Sequence, residues 1–410
     1  MAKTKRPLHA PTQILTRGFD PMLSVGSARP AVFRSSTYVF PSPEAAERAF
    51  DLMGGRAKAE PDESVALVYS RFNHPNAEIL EDQILPLEPQ ARKALVFNSG
   101  MSAIHAALAA YLRPGQAIVY TVPIYGGTQK LIQAVLEPWG VKGVAVRAGD
   151  SAAMERAIAD TKKVAVVLIE TPANPTLTMT DIAHAVACAA KLKPRPLVMV
   201  DNTMMGPTLQ HPFLHGADVV LYSATKYLSG FSDLIGGVAL TREAETMTPI
   251  RSLRSLFGTI LQPDECWILN SRLLTVSPRI RQATESARQI VDALAKHKKI
   301  ARIHYPTQFT NNAQAHVRDA QCEGPGAMFS IELKGGKRAA FDFLRKLKIA
   351  RNAVSLGGVE TLVCHPKSTT HSGFTEAEFK EAGVTDALVR VSIGLEDPRD
   401  LLADFEQALG

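Results

Sequence analysis

Residues 218–228 read DVVLYSATKYL. Positions 219–222 form an unbroken apolar run, the pattern of a strand buried on both faces. A strand of that kind belongs to a parallel sheet covered by helices on either side. Directly behind it stand two hydroxyl residues, Ser223 and Thr225, and a lysine, Lys226. Lysines are ordinarily solvated, on a helix face or in a polar loop. One placed where a buried strand runs out calls for a chemical explanation, although a single lysine does not decide the matter.

The same arrangement recurs outward from this point. Short apolar runs at 94–97, 117–120, 164–169 and 197–200 alternate with helical patterns at 102–112, 127–135, 151–160 and 181–192. The alternation predicts an α/β fold over residues 76–265, with a mostly parallel central sheet. Ligands on such sheets bind beyond the carboxyl ends of the strands. Residues 1–75 are rich in Pro, Gly and Ser and read as an N-terminal arm with one helix, 43–53, capped by Ser42, and a charged loop, 54–64. An arm like this buries no core of its own and is expected to lie across another surface. Residues 266–410 read as a smaller α+β domain. It opens on a long connecting helix, 273–297, continues with strands at 327–333 and 387–393, and closes on a helix at 399–409 capped by Asp397-Pro398.

Composition narrows the class. The 410 residues carry 46 basic and 40 acidic side chains, a formal charge of +6 without a long basic run. Nucleic-acid binding gains little support from this, while a small anionic ligand remains open. Four separated cysteines without a CxxC pair suit a reducing compartment. The start, MAKTKRPLHAPTQ, lacks the apolar stretch of a secretion signal, and no run reaches the length of a membrane span. The expectation is a cytoplasmic protein without a membrane partner. His211 and His215 stand four apart, but Pro212 and Phe213 interrupt the helix a metal pair requires, and His365 and His371 have no companion ligand set. No metal is expected.

Three strand ends then matter together. After 94–97 comes Asn98-Ser99-Gly100-Met101-Ser102 and a helix, either a plain cap or a helix N-terminus open to a phosphate. The run 197–200 ends in Asp201, which either caps the next turn or meets a cation. After 219–222 comes Lys226. Tyr222 and Lys226 also have the YxxxK spacing of short-chain dehydrogenases, but that reading needs a GxGxxG turn and the chain has none. The combination suits pyridoxal 5'-phosphate. That cofactor needs a lysine for its aldehyde, an acid for its ring nitrogen, a phosphate cup and a flat group over the ring. Lys226, Asp201, the Gly100 turn with Ser223 and Thr225, and Tyr125 supply them.

With these residues in view, the sequence resembles the pyridoxal-phosphate enzymes of Cys/Met metabolism, the family of cystathionine γ-synthase, the cystathionine lyases and methionine γ-lyase. The segments that carry the likeness are YSR at 69–71, SGMSAIHAAL at 99–108, YGGT at 125–128, ETPANP at 170–175, VDNT at 200–203, SATKYLSG at 223–230, SLGGVETLVCHP at 355–366 and VRVSIGLEDPRDLLADFEQAL at 389–409. The resemblance implies the fold type I architecture of these transferases. It further implies that Lys226 binds the cofactor and moves protons, and that Asp201 partners the ring nitrogen. Tyr125 would stack on the ring and protonate the leaving group. Gly100, Met101, Ser223 and Thr225 would hold the phosphate. Tyr69 and Arg71 would reach the phosphate of a neighbouring subunit, which implies a homo-oligomer with shared active sites, a tetramer built of dimers. Arg390 would grip the carboxylate of a small amino-acid substrate, with Asn174 and Ser355 bordering the cofactor oxygen and that carboxylate.

The branch within the family is read from smaller differences. Members acting at Cβ tend to place aromatics around the late-loop serine, whereas Val354-Ser355-Leu356 is aliphatic and resembles the γ-acting branch. Some bacterial methionine γ-lyases carry cysteine where Gly127 stands, and other members carry glycine. Relatives usually read YSRxGNPT; here the run is YSRFNHPN, and the departures His74 and Asn76 bear on the substrate mouth. The expectation is a carbon–sulfur lyase acting at the γ-carbon of methionine, homocysteine or cystathionine. The alternative is a γ-replacement transferase, of the cystathionine γ-synthase or O-acylhomoserine sulfhydrylase type. A binding protein on the same fold would not need Lys226, Asp201, Tyr125 and Arg390 together.

Overall fold

The computed structural model describes residues 8–60, 63 and 67–410. Its centre is a seven-stranded sheet of β1 (Lys93–Phe97), β2 (Ala117–Val122), β3 (Lys142–Arg147), β4 (Val164–Glu170), β5 (Leu197–Asp201), β6 (Val219–Ser223) and β7 (Gly237–Thr241), in the spatial order β1-β7-β6-β5-β4-β2-β3. Strands β3, β2, β4, β5 and β6 pair in parallel. Strand β7 runs antiparallel to both β6 and β1, so the other six strands point one way. Every residue of β2 is buried, as an apolar strand between two helical layers requires. The expected α/β architecture is present, and the carboxyl ends of β1, β2, β4, β5 and β6 share one edge.

A second, five-stranded sheet lies in the C-terminal part. Its strands are β8 (Ile300–His304), β9 (Met328–Leu333), β10 (Arg351–Asn352), β11 (Leu362–Cys364) and β12 (Leu388–Ser392), ordered β10-β11-β12-β9-β8. The expected connecting helix, 273–297, is present as Val276–Leu294, and a separate helix, Pro263–Leu273, precedes it. Pro278 has no N–H to donate and fits only the first turn of the second helix, so the chain breaks before it. The break is used. The Arg279 guanidinium donates to the carbonyls of Tyr227 (2.9 Å) and Leu228 (3.3 Å), and so pins the turn that carries Lys226.

Within the arm, helix Pro43–Met53 is capped by Ser42 as expected. A second helix, Ala10–Thr16, escapes the sequence reading because it is only two turns long. It docks through buried Ile14, whose carbonyl accepts from Gln83 Nε2 at 2.9 Å, and through the Arg17–Asp82 ion pair at 3.0 Å. The charged loop 54–64 lies partly outside the described residues. Among the described residues no helix is long and apolar enough to cross a membrane.

Candidate active site

The helix after β1 begins at Gly100, two residues earlier than the apolar pattern indicates, because Ser99 Oγ accepts the Ser102 N–H at 3.1 Å. Gly100 and Met101 therefore occupy the first turn, where backbone N–H groups point out of the helix. A Cβ on Gly100 would lie 3.0 Å from Ser223 Cβ, so glycine lets this turn close onto the end of β6. Ser223 stands beside the turn. The Thr225 hydroxyl exchanges hydrogen bonds with Gly236, accepting its N–H at 3.1 Å.

Asp201 ends β5 and Glu170 ends β4, directly opposite each other in the parallel register. Both are buried. Asp201 accepts the Thr203 N–H at 3.0 Å, and among the described residues no cation pairs with it. Burial raises the pKa of both acids, and the Asp201 charge raises that of Glu170 further. A buried carboxylate without a counter-cation is costly. A protonated ring nitrogen at Asp201 would remove that cost, and together with the Gly100 turn this makes the residues present fit pyridoxal phosphate.

Lys226 Nζ donates to Ser355 Oγ at 2.9 Å. Desolvation, with the Arg390 charge second, brings the pKa of the ammonium down to about 8. Ser355 holds φ at +99°, a conformation that costs a side-chain-bearing residue energy and is maintained by its surroundings. Its carbonyl accepts Arg390 Nη2 at 2.7 Å, and Arg390 Nη1 donates to Asn174 Oδ1 at 3.0 Å. Lys226, Ser355, Arg390 and Asn174 thus form one continuous chain of hydrogen bonds. Among the described residues the Arg390 guanidinium, 3% exposed, has no ion-pair partner, and it keeps N–H groups for an anion.

Tyr125 follows β2, is 46% exposed, and lines a cavity of about 510 Å³ with Gly127, Lys130, Val354, Thr370 and His371. Its backbone N–H donates to Glu170 Oε2 at 2.8 Å. A Cβ on Gly127 would come within 2.6 Å of Tyr125 Cε1, so glycine there gives the ring its place. An adjoining cavity of about 750 Å³ is lined by Thr225, Val354 and Ser355.

Tyr69 and Arg71 are not part of this assembly. They line a separate cavity of about 470 Å³ with Arg34, His74 and Asp264. The Arg71 guanidinium donates to the Ser255 carbonyl at 2.6 Å and lies 4.7 Å over the Phe72 ring. His74 and Asn76, the departures that bear on the substrate mouth, have buried side chains held by hydrogen bonds. His74 Nδ1 caps helix Pro75–Ile84 by accepting the Ala77 N–H at 3.2 Å. Asn76 bridges the arm, donating to the Ala31 carbonyl at 2.7 Å and accepting the Phe33 N–H at 2.9 Å. A histidine can replace the usual small cap residue because its ring nitrogen reaches the same N–H.

Glu170 was legible but missed. It closes the apolar run 164–169 just as Asp201 closes 197–200. Of the histidines weighed for metal, His211 precedes a short helix, Pro212–His215, and faces Glu88 and Glu323. A different group, Glu155, His184 and Cys188, brings its ligand atoms within 4.8 Å of one another. There Glu155 already pairs with Lys191 at 2.7 Å.

Residues 11–410 match the model of the Cys/Met metabolism PLP-dependent enzyme family. The chain is 37% identical to an L-methionine gamma-lyase of Fusobacterium nucleatum over 386 residues, 94% of each chain. It is 34% identical to a cystathionine gamma-synthase of Mycobacterium tuberculosis over 399 residues, 97% of this chain and 96% of the other. Among solved structures, a cystathionine gamma synthase from Xanthomonas oryzae pv. oryzae, in complex with aminoacrylate and cysteine, superposes with a TM-score of 0.89. It shares 31% identity over 98% of both chains.

Proposed function

Because the chain belongs to the Cys/Met metabolism PLP-dependent enzymes, we propose that it is a carbon–sulfur lyase acting at the γ-carbon of a sulfur amino acid. Methionine or cystathionine would give an α-keto acid, ammonia and a thiol, and homocysteine would release hydrogen sulfide in place of the thiol. The observation that carries the reading is the hydrogen-bonded run from Lys226 through Ser355 to Arg390, which puts a base and a carboxylate anchor on one site beside Asp201.

When bound, the cofactor supplies an electron sink for the substrate carbon attached to the amine. The chain's own residues do the rest. Asp201 keeps the ring nitrogen protonated, because an ion pair favours the charged form. Ser223 and Thr225, with the N–H groups of Gly100 and Met101, hold the phosphate. Arg390 anchors the substrate carboxylate and so fixes which bonds at Cα face Lys226. Lys226 Nζ takes the α-proton and returns protons along the carbon chain. Burial and the Arg390 charge lower its pKa to about 8 in the cofactor-free protein, toward the range that suits a proton carrier. The Tyr125 hydroxyl hands a proton to the departing sulfur. Water then releases the keto acid and ammonia.

The second reading, γ-replacement, is favoured by the rim of the Tyr125 cavity. Gln129, Lys130, Gln133, Ser372 and Glu378 make that rim polar, with one charge of each sign, which suits a γ-substituent that itself carries both, as the cysteinyl end of cystathionine does. Keto-acid release from methionine with no added thiol separates the two. Release supports the lyase; silence, with turnover restored by acyl-homoserine plus cysteine or sulfide, rejects it.

We read the chain as an arm (1–75), a cofactor-binding domain (76–265) and a C-terminal domain (266–410), assembled as a cytoplasmic dimer of dimers. Two observations support the assembly. Tyr69 and Arg71 face a cavity apart from Lys226, and the arm leaves Met22, Leu23, Val25 and Val39 strongly exposed. Four free cysteines suit a reducing compartment.

A further inference from the structure

The Asn174 peptide is gripped from two sides. Its N–H donates to Glu170 Oε1 at 3.1 Å, and its carbonyl lies 3.2 Å from His371 Nε2. A carbonyl accepts only, so Nε2 carries the proton; Nδ1, 2.8 Å from Thr370 Oγ1, accepts from that hydroxyl. His371 is thereby a neutral ring of one tautomer. Burial, with the Arg390 charge second, holds its pKa at about 4, so this form persists throughout the neutral range. The ring packs edge-on against Phe374 with centroids 5.1 Å apart, which limits its rotation.

Glu170 completes the grip in a specific way. The Arg390 charge acts on it as the smallest of several influences, and both its oxygens are taken by backbone N–H groups, those of Tyr125 and Asn174. The acid therefore stands near the guanidinium without closing an ion pair that would compete with a substrate carboxylate. With its backbone held at both N–H and C=O, Asn174 presents Oδ1 to Arg390 in a fixed direction. An arginine fork is selective only when its plane is held in this manner.

We propose that His371 and Glu170 are positioning residues that clamp Asn174, so that Arg390 is aimed at the carboxylate of the incoming amino acid. The proposal rests on the reading of Arg390 given above. It is tested on the cofactor-loaded enzyme with two probes followed by the cofactor's absorbance: glycine, which carries a carboxylate, and methylamine, which does not. His371→Phe keeps the ring and removes the donor. Glycine binding is expected to weaken about tenfold, as for a buried carbonyl left without its donor, with methylamine binding unchanged. His371→Gln restores an N–H at the same reach and should recover glycine binding to within about threefold. Glu170→Gln should also weaken glycine selectively, since an amide cannot accept at both positions.

Equal weakening of both probes in His371→Phe and in His371→Gln would mean a general loss of structure and would overturn the clamp. So would unchanged glycine binding in His371→Phe while Arg390→Lys weakens it. If Arg390→Lys itself leaves glycine binding intact, the carboxylate role of Arg390 is the part that fails. The melting temperature of the cofactor-free variants, expected to stay within a few degrees of the parent, provides a readout independent of the loaded site.

Discussion

Two groups of residues carry equally specific sequence signatures, and the fold treats them in opposite ways. Lys226, Ser355 and Arg390 come from distant points of the chain and are joined by hydrogen bonds, half-buried or buried, while Asp201 lies buried at the carboxyl end of β5. Tyr69 and Arg71 sit beside each other in sequence, remain partly exposed, and line a cavity of their own against Ser255 and Asp264. The first group is a site that one chain builds. The second lies outside that site, and the proposed assembly gives it to the site of a neighbouring subunit. A short motif therefore identifies chemistry before it identifies where the chemistry happens.

The largest expected effect lies in the first group. Lys226→Ala should lower turnover at least about 10³-fold, since it removes both the covalent anchor and the proton carrier. Keto-acid formation from the preferred substrate is the measurement, and near-normal turnover would break the assignment. The sharpest comparison mixes the groups. Arg71→Ala should weaken cofactor retention by about one to two orders of magnitude, the worth of a charge-assisted hydrogen bond. Co-assembly of Lys226→Ala subunits with Arg71→Ala subunits should then regain activity, because a shared dimer places one intact Lys226 opposite one intact Arg71. Mixed subunits no better than the separate variants would confine the whole site to a single chain.

A smaller effect concerns pH. Burial raises the folded-state pKa of Asp201 and Glu170, so the folded cofactor-free protein binds more protons than the unfolded chain above the ordinary carboxylate range near 4. The stability these acids contribute is fully present below that range and is lost as pH rises through their folded-state values. The melting temperature of the cofactor-free protein should fall over that interval, and less steeply in Asp201→Asn. Added cofactor should flatten the slope by pairing Asp201 with a cation. A rise instead of a fall would mean that the acids are already compensated. The smallest effect is expected of Ser355→Ala, which removes one hydrogen bond to Lys226 Nζ and should cost several-fold in kcat/KM.

Much of this was readable from the chain, for reasons that also explain what was not. Buried parallel strands are continuous apolar runs, so β1, β2, β4, β5 and β6 and the residues at their ends stood out. Strand β3 is largely half-buried or exposed at an edge of the sheet and lacks that contrast. Strand β7 is apolar, but its reversed direction is a property of pairing and not of local sequence. Asp201 and Glu170 show the same local signal, an acid closing an apolar run, yet only Asp201 was singled out. Glu170 has its effect through the backbone of Tyr125 and Asn174, which residue type does not reveal. The role His74 has in its own chain was equally hidden. His74 departs from the usual residue at a recognisable motif, and the departure serves a helix cap through Nδ1, while Nε2 donates to the Leu261 carbonyl at 2.9 Å.

The central claim is that this fold tethers pyridoxal phosphate at Lys226. Borohydride reduction in the presence of the cofactor, followed by peptide mass analysis, tests it most directly. The account predicts one cofactor mass added to the peptide containing Lys226, and none in Lys226→Ala. An unmodified Lys226 peptide, or the same added mass on another lysine, would contradict it.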